Sequence, residues 1–323
     1  MPRLGGVAFD TSVAHPARVY DYWLRGKDNF AADRLVAEEV LAVMPAIAQV
    51  ARSVRMFLAA VVHHLAADAG IRQFLDIGTG LPTANNTHEV AQRAAPESRV
   101  VYVDNDPIVL LHARALLTSS PRGRCAYVEA DARDPDRILA EAAGTLDLTE
   151  PVAVMMLGLL HFIPDIDDPY ALARYYLDAL PSGSYLAISH ASSDIKTDPQ
   201  EAAAEKYNAR SATPITLRSR AEVTRFFDGL ELVPPGVTPL GQWAPGTAMA
   251  GPAGLPTYTA LARKPAIHDR GRLPRSQPRI GPGHCNHAET PAGHTHSYAR
   301  ARRSRSRSRS RRRSRSRGRQ GLV

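Results

Sequence analysis

Between Ala31 and Ala69 apolar residues recur at helical spacing: Leu35, Val36, Val40, Leu41 and Val43 before Pro45, then Ile47, Val50, Val54, Phe57, Leu58, Val61, Val62 and Leu65 after it. A stripe of that period marks a helix face turned to a core. Proline inside it removes a backbone hydrogen bond, so two helices broken at Pro45 are predicted. After Gly70 the period changes. Short apolar runs at 73–77, 100–104, 126–129 and 152–157 read as buried strands, and the stretches 82–94, 107–117 and 135–143 between them read as helices. Each of these helices opens on a proline, whose missing N–H costs nothing in the first turn. A helix over 169–180 capped by Asp168, a strand over 185–189 ending at His190, and a helix from the Ser219 cap to Phe227, stopped by Gly229, follow. Runs at 230–233 and 257–262 are predicted to close the sheet as a hairpin. Strand and helix in alternation imply an α/β domain over 71–264, a mostly parallel sheet covered on both faces, preceded by a helical segment over 1–70.

Charge separates a third region. Residues 1–264 hold 24 Lys+Arg and 30 Asp+Glu, a net of −6, whereas 265–323 hold 16 Arg against Asp269 and Glu289, a net of +14. The overall +8 therefore belongs to the tail. That tail is rich in Pro, Gly, His and Arg and alternates Arg with Ser over much of 302–319, a composition that cannot bury enough apolar surface to order itself; disorder is predicted over 265–323. It reads either as a dispensable extension or as a weak, salt-dependent, nonspecific contact for a nucleic-acid backbone. His284, Cys285, His287, His294 and His296 lie in it, but a flexible segment gives metal ligands no orienting partners, and no metal site is predicted. Cys125 and Cys285 make no disulfide framework. Arg52, Arg55, His63 and His64 interrupt the most apolar helix and no secretory h-region is visible, so neither a membrane span nor export is expected, and the cytoplasm is the expected location.

The chemistry starts at Asp76-Ile77-Gly78-Thr79-Gly80, directly after the strand run Gln73-Phe74-Leu75. A dinucleotide fingerprint needs glycine at the first, third and sixth positions so that pyrophosphate can approach a helix N-terminus. Here the sixth position is Thr83, and Asp76 would repel a pyrophosphate while attracting an ammonium group. This favours S-adenosylmethionine as the ligand; a glycine turn serving only tight packing is the plainer reading. The next strand ends in Asp104, followed by Asn105, where a carboxylate can accept from both hydroxyls of a ribose. A third strand leads to Ala130-Asp131-Ala132, where Asp131 can accept from an adenine amino group or simply cap a helix.

Longer motifs carry a resemblance. Ala17-Arg18-Val19-Tyr20-Asp21-Tyr22-Trp23-Leu24, Gly26-Lys27-Asp28-Asn29-Phe30, the run from Gln73 to Thr83, Val100 to Pro107 and Leu160-His161-Phe162-Ile163-Pro164-Asp165 resemble an actinobacterial family of S-adenosylmethionine-dependent methyltransferases formerly classed as a domain of unknown function. The likeness runs in order from about Val13 to Lys264. It implies a Rossmann-like class I methyltransferase fold with a seven-stranded, mostly parallel sheet, bound S-adenosylmethionine and an unsettled acceptor. Arg25 replaces a usual glycine, and Val54 and Ala60 replace usual polar or basic residues, which touches the shape of the N-terminal cover more than the cofactor site.

Methyl transfer from a sulfonium needs alignment and exclusion of water, with a general base only where the acceptor must lose a proton. His161, just past the 152–157 strand, is the candidate base; a packed histidine is its other role, and His190 shares the ambiguity. Tyr20, Lys27 and Asn29 either anchor the N-terminal segment or, as the resemblance implies, fold over the cofactor beside Asp76, Gly78, Thr79, Gly80, Asp104, Asn105, Asp131 and Ala132. The expected activity is methyl transfer to a small-molecule acceptor. A non-catalytic S-adenosylmethionine-binding protein and a nucleic-acid-binding protein acting through the tail are the alternatives.

Overall fold

A computed structural model describes residues 3–4, 7–8, 10–116, 118–243 and 254–266. By its contacts the chain divides into units 1–270 and 271–323, and every described residue lies in the first. The predicted Arg/Ser tail beyond position 266, with its His and Cys residues, falls outside the described residues.

A short antiparallel pair, β1 (Arg3–Leu4) and β2 (Val7–Ala8), precedes three helices, α1 (Pro16–Trp23), α2 (Ala31–Val43) and α3 (Ile47–Ala67). The break between α2 and α3 brackets Pro45, as the proline rule requires. The alternation then runs β3 (Gln73–Ile77), α4 (Thr87–Ala94), β4 (Arg99–Asp104), α5 (Pro107–Leu116), β5 (Arg124–Glu129), α6 (Pro135–Ala142), β6 (Ala153–Leu157), α7 (Pro169–Asp178) and β7 (Tyr185–Ala191). Two single 3-10 turns, Leu160–Phe162 and Asp165–Asp167, connect β6 to α7. The chain continues through α8 (Thr197–Asn208), α9 (Arg220–Arg225), β8 (Glu231–Leu232), β9 (Thr238–Pro239) and β10 (Thr257–Arg263).

The sheet order is β5-β4-β3-β6-β7-β10-β8, with β9 pairing β10 as well. Strands β3 to β7 are parallel and β10 runs antiparallel to β7, β8 and β9. Eight strands replace the expected seven, because the edge partner of β10 is cut in two. Pro234 and Pro235 between β8 and β9 have no N–H to donate, so pairing lapses there and resumes at Thr238.

Three sequence-based bounds shift. The helix expected at 82–94 begins at Thr87: Asn86 caps it, accepting from Thr83 N at 3.0 Å while its own N–H donates to Glu89 at 2.9 Å, and the chain turns at Asn85 with φ of 59°. His190 lies inside β7 rather than beyond it. Helices α1 and α8 are absent from the expected element list, and α8 is only weakly amphipathic in sequence.

Both faces of the sheet are buried, so successive strand residues serve opposite cores. Phe74, Val100, Tyr102 and Met155 pack with the α3 stripe, whereas Leu75, Val101, Val103 and Val154 pack with α6 and α7. By length and composition alone α3 could cross a bilayer, contrary to the expectation from its charges, but here its stripe from Val50 to Ala66 is buried in the protein. The helices α1 and α2 form a third core with Ala203 and Tyr207 of α8. The cover over the sheet is therefore assembled from two distant stretches of chain.

Candidate active site

In an open parallel sheet ligands sit beyond the carboxyl ends of the strands, where the strand order reverses. The reversal here lies between β3 and β6, and a cavity of about 260 Å³ opens at that point. After β3 the chain turns on Gly78 and Gly80, at φ of 72° and 68°, a region L side chains rarely adopt. A Cβ on Gly78 would also meet Leu159 Cδ1 at 2.8 Å. Gly78→Ala is therefore expected to lower stability by about 1–3 kcal/mol in urea unfolding; an unchanged midpoint would show that the turn adapts.

Two buried carboxylates hold this turn between them. Asp104, at the end of β4, accepts from Gly80 N at 2.8 Å and from Asp106 N at 2.9 Å. Asp76, inside β3, accepts from Thr87 Oγ1 at 2.6 Å. Burial pushes the Asp76 carboxyl up to about 6, against the Thr87 hydrogen bond and the nearby Arg55 charge, and Asp104 adds repulsion. Asp104 is likewise raised, first by burial. Arg55 reaches over from α3, its Nη2 donating to the carbonyls of Ala84 and Asn85 at 3.3 and 3.1 Å.

Asp131 follows β5 at the same edge, but Arg133 clamps both its oxygens, through Nε at 2.9 Å and Nη2 at 2.7 Å, and also reaches Asp167 at 3.0 Å. The Arg133 hydrogen bond holds the Asp131 carboxyl below its ordinary range. Asn105 and Ala132 line the cavity with Thr79. Tyr20 lines it too, its hydroxyl donating to Ala51 O at 2.8 Å. Lys27 and Asn29 do not line it, which corrects their expected place. Lys27 is exposed, and Asn29 is spent locally: its Nδ2 donates to buried Asp21 at 2.8 Å, and its carbonyl accepts from Arg34 at 2.8 Å. The cover is instead tied to the β4 turn through Asp106, which lies 3.2 Å from His15 Nδ1 and 3.4 Å from Arg18 Nε.

The other half of the edge, past β6 and β7, carries the two histidines, their ring centroids 5.5 Å apart. His190 is fully committed. Arg218 Nη1 lies 2.9 Å from its Nε2, and since a guanidinium only donates, Nε2 holds the lone pair and Nδ1–H donates to Ala191 O at 2.8 Å. Burial first, then the charges nearby, keep that ring neutral. His161 lines the cavity, and its Nδ1 is buried without a hydrogen-bond partner among the described residues. Burial, then the Arg218 charge, depress it to about 3.

Arg218, 1 % exposed, is the residue that sequence reasoning missed. All five of its N–H groups are used: Nε and Nη2 on Asp165 at 3.2 and 2.6 Å, Nη1 on Leu160 O and His190 Nε2, and Nη2 again on Ile163 O. It fixes the 160–165 turn against β7 and so sets where His161 stands. Only an arginine before the Ser219 cap hinted at it.

The charged half suits a cationic ligand with ribose hydroxyls. Two buried carboxylates of raised pKa flank a turn whose Gly80 leaves open space where a Cβ would stand, a poor berth for pyrophosphate and a good one for S-adenosylmethionine, which carries an ammonium and a sulfonium. A parallel sheet with this acid-flanked glycine turn and an antiparallel closing strand is a class I methyltransferase fold. The chain belongs to the S-adenosyl methyltransferase family, whose profile matches residues 5–265. It is similar to a DUF574 family protein from Streptomyces avermitilis MA-4680, at 48 % identity and a TM-score of 0.76, over 79 % of this chain and 99 % of that one. It is also similar to a candidate methyltransferase from Thermobifida fusca YX, at 39 % identity and a TM-score of 0.72, over 80 % and 97 % of the two chains. A comparison with curated proteins finds no match. The protein is thus an S-adenosylmethionine-dependent methyltransferase, and S-adenosylmethionine is its methyl donor.

Proposed function

We propose that the methyl acceptor is a small molecule bound inside the cavity, on the β6–β7 side of the methyl donor. The observation that carries this reading is the roof: Met44 at the end of α2, Val50 and Val54 of α3, and Ala203 and Ala204 of α8 line the cavity, so an acceptor there lies under an apolar helical cover. The test is to incubate the enzyme with methyl-labelled S-adenosylmethionine and an extract of its host, then separate the products by size. Label is expected in the low-mass fraction; label confined to protein or nucleic acid would overturn the reading.

Bound S-adenosylmethionine supplies an electrophilic methyl group on a positively charged sulfur. In this reading Asp76 attracts the ammonium directly or through water, Asp104 accepts from the ribose hydroxyls, and Asp131, its oxygens shared with Arg133, stands at the adenine end. The cover and the apolar walls exclude water, which strengthens each of these contacts. His161 receives the acceptor's proton where one must leave. A ring held near 3 is a weak base, so it does not ionise the acceptor in advance; it takes a proton that becomes strongly acidic as the methyl group arrives.

Asp76 makes a pH signature. Its carboxyl, pushed up to about 6, is only partly ionised near that pH in the free protein, whereas a neighbouring ammonium favours the ionised form. Affinity for S-adenosylhomocysteine, which keeps the ammonium, is therefore expected to fall as pH drops through about 6, approaching tenfold per unit, with protons released on binding. Titration calorimetry in buffers of different ionisation enthalpy measures both. Asp76→Asn should abolish the proton release; persistent release would assign it to another group.

The tail is assigned no part in this chemistry. A chain ending at Lys264 is expected to keep its cofactor affinity and lose any salt-dependent nucleic-acid binding of the full chain. A cytoplasmic location is in keeping with the supply of the methyl donor.

A further inference from the structure

We propose that the acceptor is a neutral, largely apolar molecule bearing a hydroxyl group, which His161, Ser189 and Gln200 hold beneath the helical cover. This rests on the reading that the acceptor occupies the β6–β7 half of the cavity. Five buried polar atoms on residues lining it have no hydrogen-bond partner among the described residues: Arg55 Nε beside the β3 turn and, on the β6–β7 side, His161 Nδ1 after β6, Ser189 Oγ in β7, and Gln200 Oε1 and Tyr207 Oη in α8. Ser189 is 0 % and Gln200 6 % exposed, so bulk water does not serve them. Buried polar groups left unpaired are costly, and four on one side of a cavity mark the place where a ligand completes the set. Gln200 Oε1 accepts and Ser189 Oγ both donates and accepts, while a neutral imidazole offers one of each role. A hydroxyl has one proton, which can rest on Gln200 Oε1 and turn to His161 for transfer, while its lone pairs accept from Ser189 Oγ or Tyr207 Oη; a group that only accepts leaves Gln200 unpaired.

Charge narrows the class further. The charged side chains lining the cavity are Arg55, Asp76, Asp104, Asp131 and Arg133, and its histidines are His15, His161 and His190. Asp76, Asp104 and Asp131 rise from β3, β4 and β5, Arg133 is paired with Asp131, and Arg55 lies against the 84–86 turn on the same half. Among the described residues lining the cavity, none of the Arg or Asp side chains belongs to β6, β7, α8 or the turns after them. Phe162, Ile163, Ile215 and Leu217 share that side with the apolar roof. An ammonium placed there would lose its hydration and face the Arg218 charge behind His190, while a carboxylate would lose its hydration to a guanidinium whose five N–H groups are already taken.

The reaction balances for a hydroxyl. Its oxygen forms the new O–C bond as the methyl–sulfur bond breaks, and that bond's electron pair stays on sulfur. The hydroxyl proton passes to the neutral His161 ring and then to solvent, carrying the positive charge that leaves the sulfur.

The test uses the full chain and calorimetric titration of phenol, 2-naphthol and 4-phenylphenol, each beside its carboxylate and its aminomethyl counterpart, with and without saturating S-adenosylhomocysteine. In at least one size class the hydroxyl compound is expected to bind at least tenfold more tightly than both charged partners. Gln200→Leu and Ser189→Ala should each weaken it severalfold with S-adenosylhomocysteine affinity kept as the control for folding. Charged partners that bind as tightly in every class, or S-adenosylhomocysteine binding with no hydroxyl compound bound at all, would overturn the proposal. Hydroxyl compounds binding as expected while S-adenosylhomocysteine fails to bind would support it and overturn the cofactor assignment instead.

Discussion

Arg218→Met is expected to destabilise the protein by about 3–5 kcal/mol, the scale of breaking a buried, hydrogen-bonded charge. The substitution leaves Leu160 O, Ile163 O and His190 Nε2 buried without the donors they have now, at about 1–3 kcal/mol each. Part of that cost is returned because the guanidinium no longer has to be desolvated. Asp165 contributes little to the total, being 70 % exposed, so Asp165→Asn should cost no more than about 1 kcal/mol. Arg218→Lys should rescue poorly, since an ammonium has three donors and no planar fork to span β7 and the 160–165 turn. Urea unfolding of the three variants measures the ranking. A loss below about 1 kcal/mol for Arg218→Met would mean that the turn is held by its apolar contacts, chiefly Leu160 and Ile163 in the core.

Removing the β4 carboxylate should act on binding rather than folding. Asp104→Ala is expected to weaken S-adenosylhomocysteine by about 2 kcal/mol or more, roughly thirtyfold, as for the loss of a charged hydrogen-bond acceptor in a buried site. Two effects combine: the ribose loses its acceptor, and Gly80 N–H loses the oxygen that pins the glycine turn. Because burial already raises the Asp104 carboxyl, eliminating that charge relieves desolvation, and the unfolding midpoint should move much less than the dissociation constant. Asp104→Asn separates the two effects, since its single acceptor oxygen can keep Gly80 or serve the ribose; an intermediate affinity is expected. An unaltered dissociation constant in Asp104→Ala would remove the ribose assignment, whatever the family membership.

The donor half of the site was open to sequence reading because its signals are local. A strand end, an acid and a glycine turn lie within five residues at 76–80, and Asp104 ends a strand flanked by a cap and a first-turn proline. The Lys27–Asn29 segment shows where local reading fails. Its place before the helical stripe and the family resemblance pointed to a cover, yet Asn29 is consumed by Asp21, eight positions away.

The β6–β7 half of the cavity was hidden for a different reason. Arg218 meets His190 across 28 residues and Leu160 across 58, and no periodicity marks a buried arginine until the chain has folded back on itself. The α2 and α3 stripe was recognised as buried, but period alone does not say against what: Phe57 and Val61 pack onto the sheet, while Val50, Val54 and Leu58 also wall the cavity.

Alternating apolar runs, prolines at helix starts and acids at strand ends thus decided the fold class and the methyl donor, because each acts within a few residues of chain. The lining of the β6–β7 side, the roof shared between α2, α3 and α8, and the commitment of His190 but not His161 were decided only by tertiary structure. Hydrogen-bond satisfaction and desolvation depend on which distant groups arrive at the same buried place.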